Sequence, residues 1–251
     1  MAWRWATASQ IGTSHVRMGT RKQDAFSCFL AGSDASAFCA VVCDGAGSAA
    51  FGGEGASLIV RTVSRGLREH FKRAATVPTD DQIWSWVDEC RDLLADVASA
   101  RGKTRRDFAS TLVLLVVSGG DALAVHVGDG AIVVRSTEGA WKALSWPESG
   151  EYASTTYFLT DDPAPRLRID RHGADFDAVA VFTDGIENLA LDHAALVPHE
   201  PFFRSMVGPL DQATSEGKVR SISDALAGFL SSQRVCERTD DDKTLITASR
   251  R

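Results

Sequence analysis

Three apolar segments of the sequence end in the same way, with an aspartate followed by a glycine. They read AVVCDG, AVHVGDG and AVAVFTDG, and their acids are Asp44, Asp129 and Asp184. A short apolar run of this kind predicts a buried strand. The acid at its end projects beyond the sheet on a short, stiff side chain. The adjacent glycine allows close approach of another backbone, or a positive φ. The repeated pattern predicts a sheet protein with several acids at strand ends.

Any one of these pairs can also be a tight turn, because Asp-Gly is a common turn dipeptide. The combination is more specific, since a fourth segment, TDDDKTLITA, sets three consecutive acids directly before an apolar run. Carboxylates that converge repel one another and are costly to desolvate unless a cation lies between them. Oxygen ligands suit Mg²⁺ or Mn²⁺ rather than Zn²⁺, so the acids indicate a metal site of that kind.

A nucleotide-binding loop is the alternative interpretation of GAGSAAFGGEG, the glycine-rich segment after Asp44. It lacks the GxxxxGK[ST] pattern, and Gly45 and Gly47 are followed by Ala50 where a GxGxxG motif should open a helix directly. An acid in front of the loop would also repel a phosphate in the absence of a metal. This interpretation predicts ATP binding without added metal and ranks last.

The hydrophobic periodicity predicts an α+β fold, because strands come first and last and most helices lie between them. The predicted strands are 3–11, 25–30, 37–43, 110–117, 122–127, 131–135, 178–183 and 244–248. Strand 131–135 is expected to extend the hairpin before it into a meander. One helix begins near Gly55, and a second follows Thr79 with Trp84 on its apolar face. A single late helix is expected at 218–230, and the polar stretch 137–177 is interpreted as an excursion over the active face.

Composition narrows the class of protein. A chain of 251 residues that is 44% hydrophobic predicts one domain, residues 1–251. A net charge of −6 disfavours nucleic acid and an anionic membrane as partners. With neither a signal peptide nor a long apolar run, we expect a cytoplasmic protein. Five cysteines without a CxxC pair predict buried thiols in a reducing compartment rather than disulfides or zinc ligands.

Six motifs in order resemble those of the metal-dependent protein phosphatases of the type 2C family. They are GTSHVRMGTRKQDAF, VVCDGAGS, FASTLVLLVV, HVGDGAIVV, VFTDGIEN and DDDKTLITA, and together they span nearly the whole chain. The N-terminal motif is most similar to a compact bacterial branch with GxSH followed by QDA. The resemblance implies an αββα sandwich of two antiparallel sheets flanked by helices, with a dinuclear metal centre.

The same resemblance implies a set of metal-site residues. Asp44 resembles the carboxylate that bridges two metal ions, and the carbonyl of Gly45 resembles a ligand of one of them. Asp184 and Asp241 resemble the other direct ligands, which makes these aspartates the candidate catalytic residues. The implied cofactor is a pair of Mn²⁺ or Mg²⁺ ions.

Two further acids are implied in weaker roles. Asp24 resembles the acid that holds metal-bound water, and Asp107 resembles the acid of a third, weaker metal site. Catalysis in this family uses a water activated between two ions about 4 Å apart, without a protein nucleophile. The chain also has no CxxxxxR loop for a cysteine nucleophile. A cation of the N-terminal loop is expected to hold the phosphate, the candidates being His15, Arg17 and Arg21.

The chain departs from the family pattern at three positions. Gln23 stands where many members have glutamate, Ala46 where some have a histidine that acts as general acid, and Asp242 where an asparagine is frequent. Asp242 could support metal binding or simply be solvated. Two functions stay open: a phosphoserine/phosphothreonine protein phosphatase, and a weak or inactive phosphatase-like module that binds a kinase or phosphorylated partner. Under either, the expected partner is a phosphorylated protein, such as a cognate Ser/Thr kinase or its substrate.

Overall fold

The computed structural model describes residues 2–33, 35–148 and 156–250. The chain divides into two compact units, each assembled from separate segments. The first unit consists of Met1–Lys22, Ala131–Trp146 and Asp175–Arg251, and the second of Gln23–Gly130 and Pro147–Ala174. The prediction of one domain stays a prediction.

The described residues form strands and helices in the following order along the chain. The strands are β1 (Trp3–Gln10), β2 (Ala25–Ala31), β3 (Ala37–Cys43), β4 (Leu112–Ser118), β5 (Asp121–Val127), β6 (Ala131–Ser136), β7 (Trp141–Ser145), β8 (Arg168–Gly173), β9 (Phe176–Phe182), β10 (Leu191–Asp192), β11 (Val197–Pro198), β12 (Gly217–Lys218) and β13 (Lys243–Arg250). The helices are α1 (Thr13–Met18), α2 (Gly52–Phe71), α3 (Asp80–Ala100), α4 (Glu187–Ala190), α5 (Glu200–Gln212), α6 (Arg220–Leu230) and α7 (Gln233–Cys236), with 3₁₀ turns at Arg105–Phe108 and Asp184–Ile186. Among the described residues no helix has both the length and the apolar character that a membrane crossing requires.

The second unit is a five-stranded antiparallel sheet with two long helices. The strand order is β2-β3-β4-β5-β8, and every residue of β3 and β4 is buried. Helix α2 contacts β2, β3 and α3, because its apolar side chains recur at helical spacing on one side. Helix α3 begins with a capping box, in which the Gln82 amide N–H donates to Thr79 Oγ1 and the Thr79 amide N–H to Gln82 Oε1.

The first unit is a six-stranded sheet with its own helices. Its order is β12-β1-β13-β9-β6-β7, antiparallel throughout except for the short parallel pairing of β12 with β1. Strand β13 is fully buried up to its last residue, and it pairs with β1 on one side and β9 on the other. Helices α5 and α6 contact β13 and β1 respectively. The predicted α+β fold with two sheets and flanking helices is confirmed.

Three local predictions were wrong. Strand β6 does not continue the β4–β5 hairpin but pairs with β7 and β9 in the other sheet. The late part of the chain holds a second long helix, α5, whose pattern is interrupted by Pro209. The polar stretch 137–177 contains all of β7 and β8 and the first residues of β9, while its residues 149–155 lie outside the described residues. Only short strand-like pieces at 157–159 and 167–169 were expected there. Backbone pairing rather than an apolar period defines β7 and β8, so periodicity missed β7 and most of β8, and it predicted β6 without its partners.

The five cysteines are all free thiols, in agreement with the prediction. Cys39, Cys43 and Cys90 are buried, whereas Cys28 and Cys236 are half-buried. Burial raises the pKa of Cys39 and of Cys90 to about 12 each. These thiols are inert core side chains, because the reactive species is the thiolate.

Candidate functional site

Asp44 stands at the end of β3 on a backbone that is fixed from both sides. Its amide N–H donates to Thr111 Oγ1 at 2.9 Å, and its carbonyl accepts from the Thr111 amide N–H at 2.9 Å. The next two residues continue this contact, since Gly45 forms a bridge with Ser110 and the Ala46 amide N–H donates to the Ala109 carbonyl. The half-buried carboxylate of Asp44 is therefore carried by a rigid strand end and not by a flexible hinge.

Asp129 brings a second carboxylate to Asp44. Oxygens of the two side chains lie within 4.8 Å of each other. The hydroxyl of Thr156 donates to Asp129 Oδ2 at 2.5 Å, which fixes the orientation of this side chain. The metal-site residues that the family resemblance implies do not include Asp129, although its segment HVGDG carries the same strand-end signal as Asp44. Two half-buried carboxylates at this separation repel one another, and a hard cation between them would relieve the repulsion.

Asp24 lies beside Asp44 at the same end of the sheet. Strands β2 and β3 are antiparallel with Ala25 opposite Cys43, so the next position of the ladder places Asp24 opposite Asp44. Asp24 is 6% exposed, and Asp44 is half-buried. The pKa of the Cys43 thiol is raised well above its usual value, mainly by burial and further by nearby groups that include both carboxylates. The register of the sheet therefore brings these two acids to the same strand end, and the role of Asp24 in holding metal-bound water stays a prediction.

Asp107 occupies a different environment within the second unit. Its Oδ2 accepts hydrogen bonds from the Thr104 amide N–H at 2.8 Å and from the Thr104 hydroxyl at 2.9 Å. These bonds lower the pKa of its carboxyl, the backbone bond having the largest effect. Asp107 also lines a small cavity of about 160 Å³ together with Ser48 and Arg106. One carboxylate oxygen of Asp107 therefore caps the 3₁₀ turn. The role of Asp107 at a third metal site stays a prediction.

In the first unit, Asp184 and the acids before β13 adjoin through their backbones. Asp184 opens the 3₁₀ turn after β9, and the Thr183 amide N–H donates to the Thr244 carbonyl at 3.2 Å. The Thr244 amide N–H returns a bond of 3.1 Å to Thr183 Oγ1. A Cβ on Gly185 would overlap the carbonyl oxygen of Asp242. The end of β9 and the start of β13 are therefore packed backbone to backbone.

The three consecutive acids before β13 have three different environments. Asp240 is exposed and pairs with Arg17, with 2.7 Å between Nη2 and Oδ2. Asp241 is half-buried, and its Oδ1 accepts from the Asp242 amide N–H at 2.7 Å. Asp242 is buried, with 1% of its side chain exposed. The family resemblance singled out Asp241 as a ligand, but the sequence could not predict the burial of the three acids, because their order along the chain gives no information on it.

Asp242 holds the N-terminal loop of the first unit, which is the segment 11–22 and includes the short helix α1. Its Oδ1 accepts from the Gly12 amide N–H at 2.6 Å and lies 2.9 Å from His15 Nδ1. Since a carboxylate only accepts hydrogen bonds, Nδ1 of His15 carries the proton. Asp242 is thus not a solvated charge, and this loop is fixed directly beside Asp241.

The predicted phosphate-binding cations are placed in three ways. His15 is buried at 6% exposure and bonded to Asp242, while Arg17 forms an exposed surface pair. Arg21 is exposed and forms no ion pair within residues 2–33, 35–148 and 156–250. A residue that sequence reasoning did not consider is Lys243, which is fully buried and donates from Nζ to the Asp241 carbonyl at 2.9 Å. Its position between three consecutive acids and an apolar strand is the sequence feature that could have identified it as a buried lysine next to the acids.

In two of the Asp-Gly pairs, the glycine is required by the close packing of another backbone. Neither Gly45 nor Gly185 has a positive φ. A Cβ on Gly45 would overlap the backbone of Gly52 and Gly53, in the first turn of α2. Asp184 and Gly185 do lie in the 3₁₀ turn, whereas Gly45 continues the strand contact as a bridge with Ser110. In both pairs, the glycine next to the acid allows another backbone to approach.

Replacing Gly45 with alanine is expected to destabilise the protein by about 1–3 kcal/mol, because the added methyl group forces α2 away from β3. Gly47→Ala is the matched control, since a Cβ there meets nothing within 4 Å. It should change the free energy of unfolding by less than about 0.5 kcal/mol. Urea unfolding of both variants measures the difference, and equal effects would show that close packing is not the reason for the glycine.

Comparison with known proteins shows which family the chain belongs to. Residues 11–231 match the family model described as Protein phosphatase 2C. The chain is 38% identical over 251 residues to Serine/threonine-protein phosphatase 3 of Escherichia coli (strain K12), covering 99% of this chain and 98% of that protein.

Solved structures show the same fold at lower identity. Serine/threonine phosphatase Stp1 from Staphylococcus aureus superposes with a TM-score of 0.64 at 16% identity, over 98% of this chain and 94% of that one. RsbX, solved in complex with magnesium, gives a TM-score of 0.58 at 18% identity, over 99% and 95% of the two chains. The predicted resemblance is confirmed: the chain belongs to the protein phosphatase 2C family, and it is a protein phosphatase.

Proposed function

We propose that the protein hydrolyses phosphoserine and phosphothreonine in proteins with the help of two Mn²⁺ or Mg²⁺ ions. The observation that carries this proposal is the pair of carboxylates, Asp44 and Asp129, held within 4.8 Å on fixed backbone at the strand ends of a family member. The Ser/Thr preference is supported by the name of the Escherichia coli relative.

The donor set suits these metals. The implicated groups are carboxylates and one backbone carbonyl, which are hard oxygen ligands without sulfur or imidazole. In the proposal, Asp44, the Gly45 carbonyl, Asp184 and Asp241 bind the ions directly, and Asp24 does so through water. Asp129, whose carboxylate lies within 4.8 Å of that of Asp44, adds a ligand to the same site. The magnesium complex of RsbX, a protein of the same fold, supports the choice of ion. Asp107 is proposed for a third, weaker ion.

Two divalent ions, when bound, supply an acidified water and offset the charge on the phosphoryl oxygens. The protein residues supply position. Thr111 fixes the backbone of Asp44, and Asp242 fixes the loop that carries His15 next to Asp241. Arg21, which has no acid partner in the described part of the chain, is the residue of that loop proposed to hold the phosphate.

Protonation of the leaving group is assigned to water. Ala46 stands where some family members have a histidine, and it is buried with Ala49 and Ala109 in a small apolar cluster. No side chain at this position can donate a proton. The substrates are proposed to be phosphorylated proteins, including a cognate Ser/Thr kinase or its substrate, and the cytoplasmic location stays a prediction.

The proposal is tested by turnover of synthetic phosphopeptides with and without metal. We expect Mn²⁺ or Mg²⁺ to support release of phosphate from phosphothreonine and phosphoserine peptides, and EDTA to remove the activity. Because EDTA removes only the ions and leaves the protein covalently unchanged, adding metal back should restore the full rate. Turnover that persists in EDTA, or a preference for phosphotyrosine over both other residues, would contradict the proposal.

A further inference from the structure

A groove opens on the helical side of the first unit. It encloses about 460 Å³ between α4, α5, α6 and α7, within the usual range of ligand sites. Its floor is apolar: Leu191, Phe202 and Val235 are buried, and the ring of Phe229 lies 6.3 Å from that of Phe202. An apolar side chain of a partner would find a preformed surface here.

The rim of the groove is basic. His199, Arg234 and Arg238 are exposed and line it, and no acid is among the residues that do so. Across residues 2–33, 35–148 and 156–250, the side chains of these three residues form no hydrogen bond or ion pair. Arg234 lies on α7 and Arg238 in the turn just after this helix ends, and both line the groove.

Acids close in sequence do not neutralise this rim. Glu237, between the two arginines, accepts instead from Gln233 at 2.7 Å, and Glu200, next to His199, pairs with Arg204. The groove is therefore a positive, partly apolar site on a chain whose net charge is −6.

The groove also adjoins both acid motifs of its unit. Helix α4 follows Asp184 directly through the 3₁₀ turn and contributes Leu189 to the lining. Arg238 stands three positions before Asp241. A bound segment would lie next to the elements that carry two of the proposed metal ligands.

We infer that this groove docks an acidic peptide segment that carries a large apolar side chain, in phosphoproteins the enzyme acts on. Carboxylates of the segment would pair with Arg234 and Arg238, while its apolar side chain covers Phe202. The inference rests on the proposed function, because it assigns the occupant to a protein substrate. Docking of this kind raises the local concentration of the phosphorylated residue and lowers KM without changing the chemistry.

Binding is tested first, without phosphate chemistry. The probe is a fluorescein-labelled peptide of alternating Glu with Leu and Phe, compared with one in which Lys replaces Glu and one in which Ser replaces the apolar residues. We expect the acidic, apolar peptide to bind about tenfold more tightly than either of the others at low salt, and more weakly as salt increases.

The double variant Arg234→Glu, Arg238→Glu should lose about tenfold in affinity for this peptide and gain affinity for the Lys peptide. Arg61→Glu with Arg73→Glu is the matched control, because it makes the same change of charge at two exposed positions of the second unit. Equal binding of the Glu and Lys peptides, or equal loss in the two double variants, would overturn the inference.

Turnover separates docking from catalysis. Attached to a phosphothreonine peptide, the acidic, apolar segment should lower KM by about tenfold in the wild type and not in Arg234→Glu, Arg238→Glu. Hydrolysis of p-nitrophenyl phosphate should be the same in both proteins, which also shows that the variant is folded. If that hydrolysis occurs but KM is insensitive to the segment, docking fails and the proposed function stands. If no substrate is hydrolysed while the peptide still binds, the proposed function fails instead.

Discussion

Asp44→Asn is expected to lower kcat/KM for a phosphothreonine peptide by about a thousandfold or more, which corresponds to ~4 kcal/mol of transition-state stabilisation. The amide keeps the shape of the side chain and the backbone bonds to Thr111, but it removes the charge that attracts a cation. Calorimetry with Mn²⁺ should show weaker binding in the same variant. Turnover and metal affinity are therefore expected to fall together.

The stability of the metal-free protein distinguishes this result from misfolding. Because Asp44 and Asp129 lie within 4.8 Å, replacing either acid removes a repulsion of about 1 kcal/mol. Metal-free Asp44→Asn should therefore unfold at the same temperature as the wild type or higher. Asp129→Asn should behave in the same direction, and Asp92→Asn, at an exposed position of α3, should change nothing. Full activity in Asp44→Asn would contradict the proposed role.

Asp242→Ala is expected to destabilise the protein by about 2–4 kcal/mol, because it leaves the buried Gly12 amide N–H and the His15 ring without their acceptor. Asp242→Asn retains an acceptor oxygen and should lose about 1 kcal/mol. Thermal unfolding measures both effects. We also expect Asp242→Ala to reduce kcat/KM, since the freed loop carries the cations proposed to bind phosphate.

The neighbouring acid supplies the control for this prediction. Asp240→Ala breaks only an exposed pair with Arg17, and such pairs contribute about 0–1 kcal/mol. If Asp240→Ala and Asp242→Ala had equal effects on the unfolding temperature, the buried bonds to Gly12 and His15 would not be what holds the loop.

The sequence predicted those elements best in which local pattern and burial agree. Strand β3 occupies the predicted residues 37–43, because a short continuous apolar run is typical of a strand that is buried on both faces. The start of α3 was also predicted, because Thr79 and Gln82 form a local capping box that does not depend on the rest of the fold. The strand-end acids followed from the same local signals.

Features that depend on contacts distant in sequence were not predictable from local pattern. Trp84 was expected on the apolar face of α3 but is 38% exposed, whereas Arg91, on the buried face, is 7% exposed. Arg91 is accommodated there because its guanidinium donates to the carbonyls of Leu159, Asp161 and Pro163. These three carbonyls lie between β7 and β8, 68 to 72 residues after Arg91 in the sequence. Only the fold therefore shows why a charged side chain occupies a core position.

The same limit applies within the candidate site. Asp129 and Asp44 share the same local pattern, an apolar run followed by Asp-Gly. Nothing in the sequence around either residue indicates that the two carboxylates lie close together. The fate of the acids before β13 depends on which of them faces Gly12, a residue from the other end of the chain. Residue type therefore predicted the chemistry of the site, while tertiary contacts decided the individual roles.

The position of β13 has a consequence for how the protein is made. This strand lies between β1 and β9, so the sheet of the first unit joins the first described strand of the chain with the last one. The second unit needs nothing beyond Ala174 and is free to fold while synthesis continues. The sheet of the first unit cannot be completed until β13 is synthesised, and until then β1 is unpaired along the edge that β13 occupies in the folded protein. A nascent chain therefore completes this sheet, with the acid motif before β13, in one late step, and we expect a chain that stops before residue 243 to be inactive.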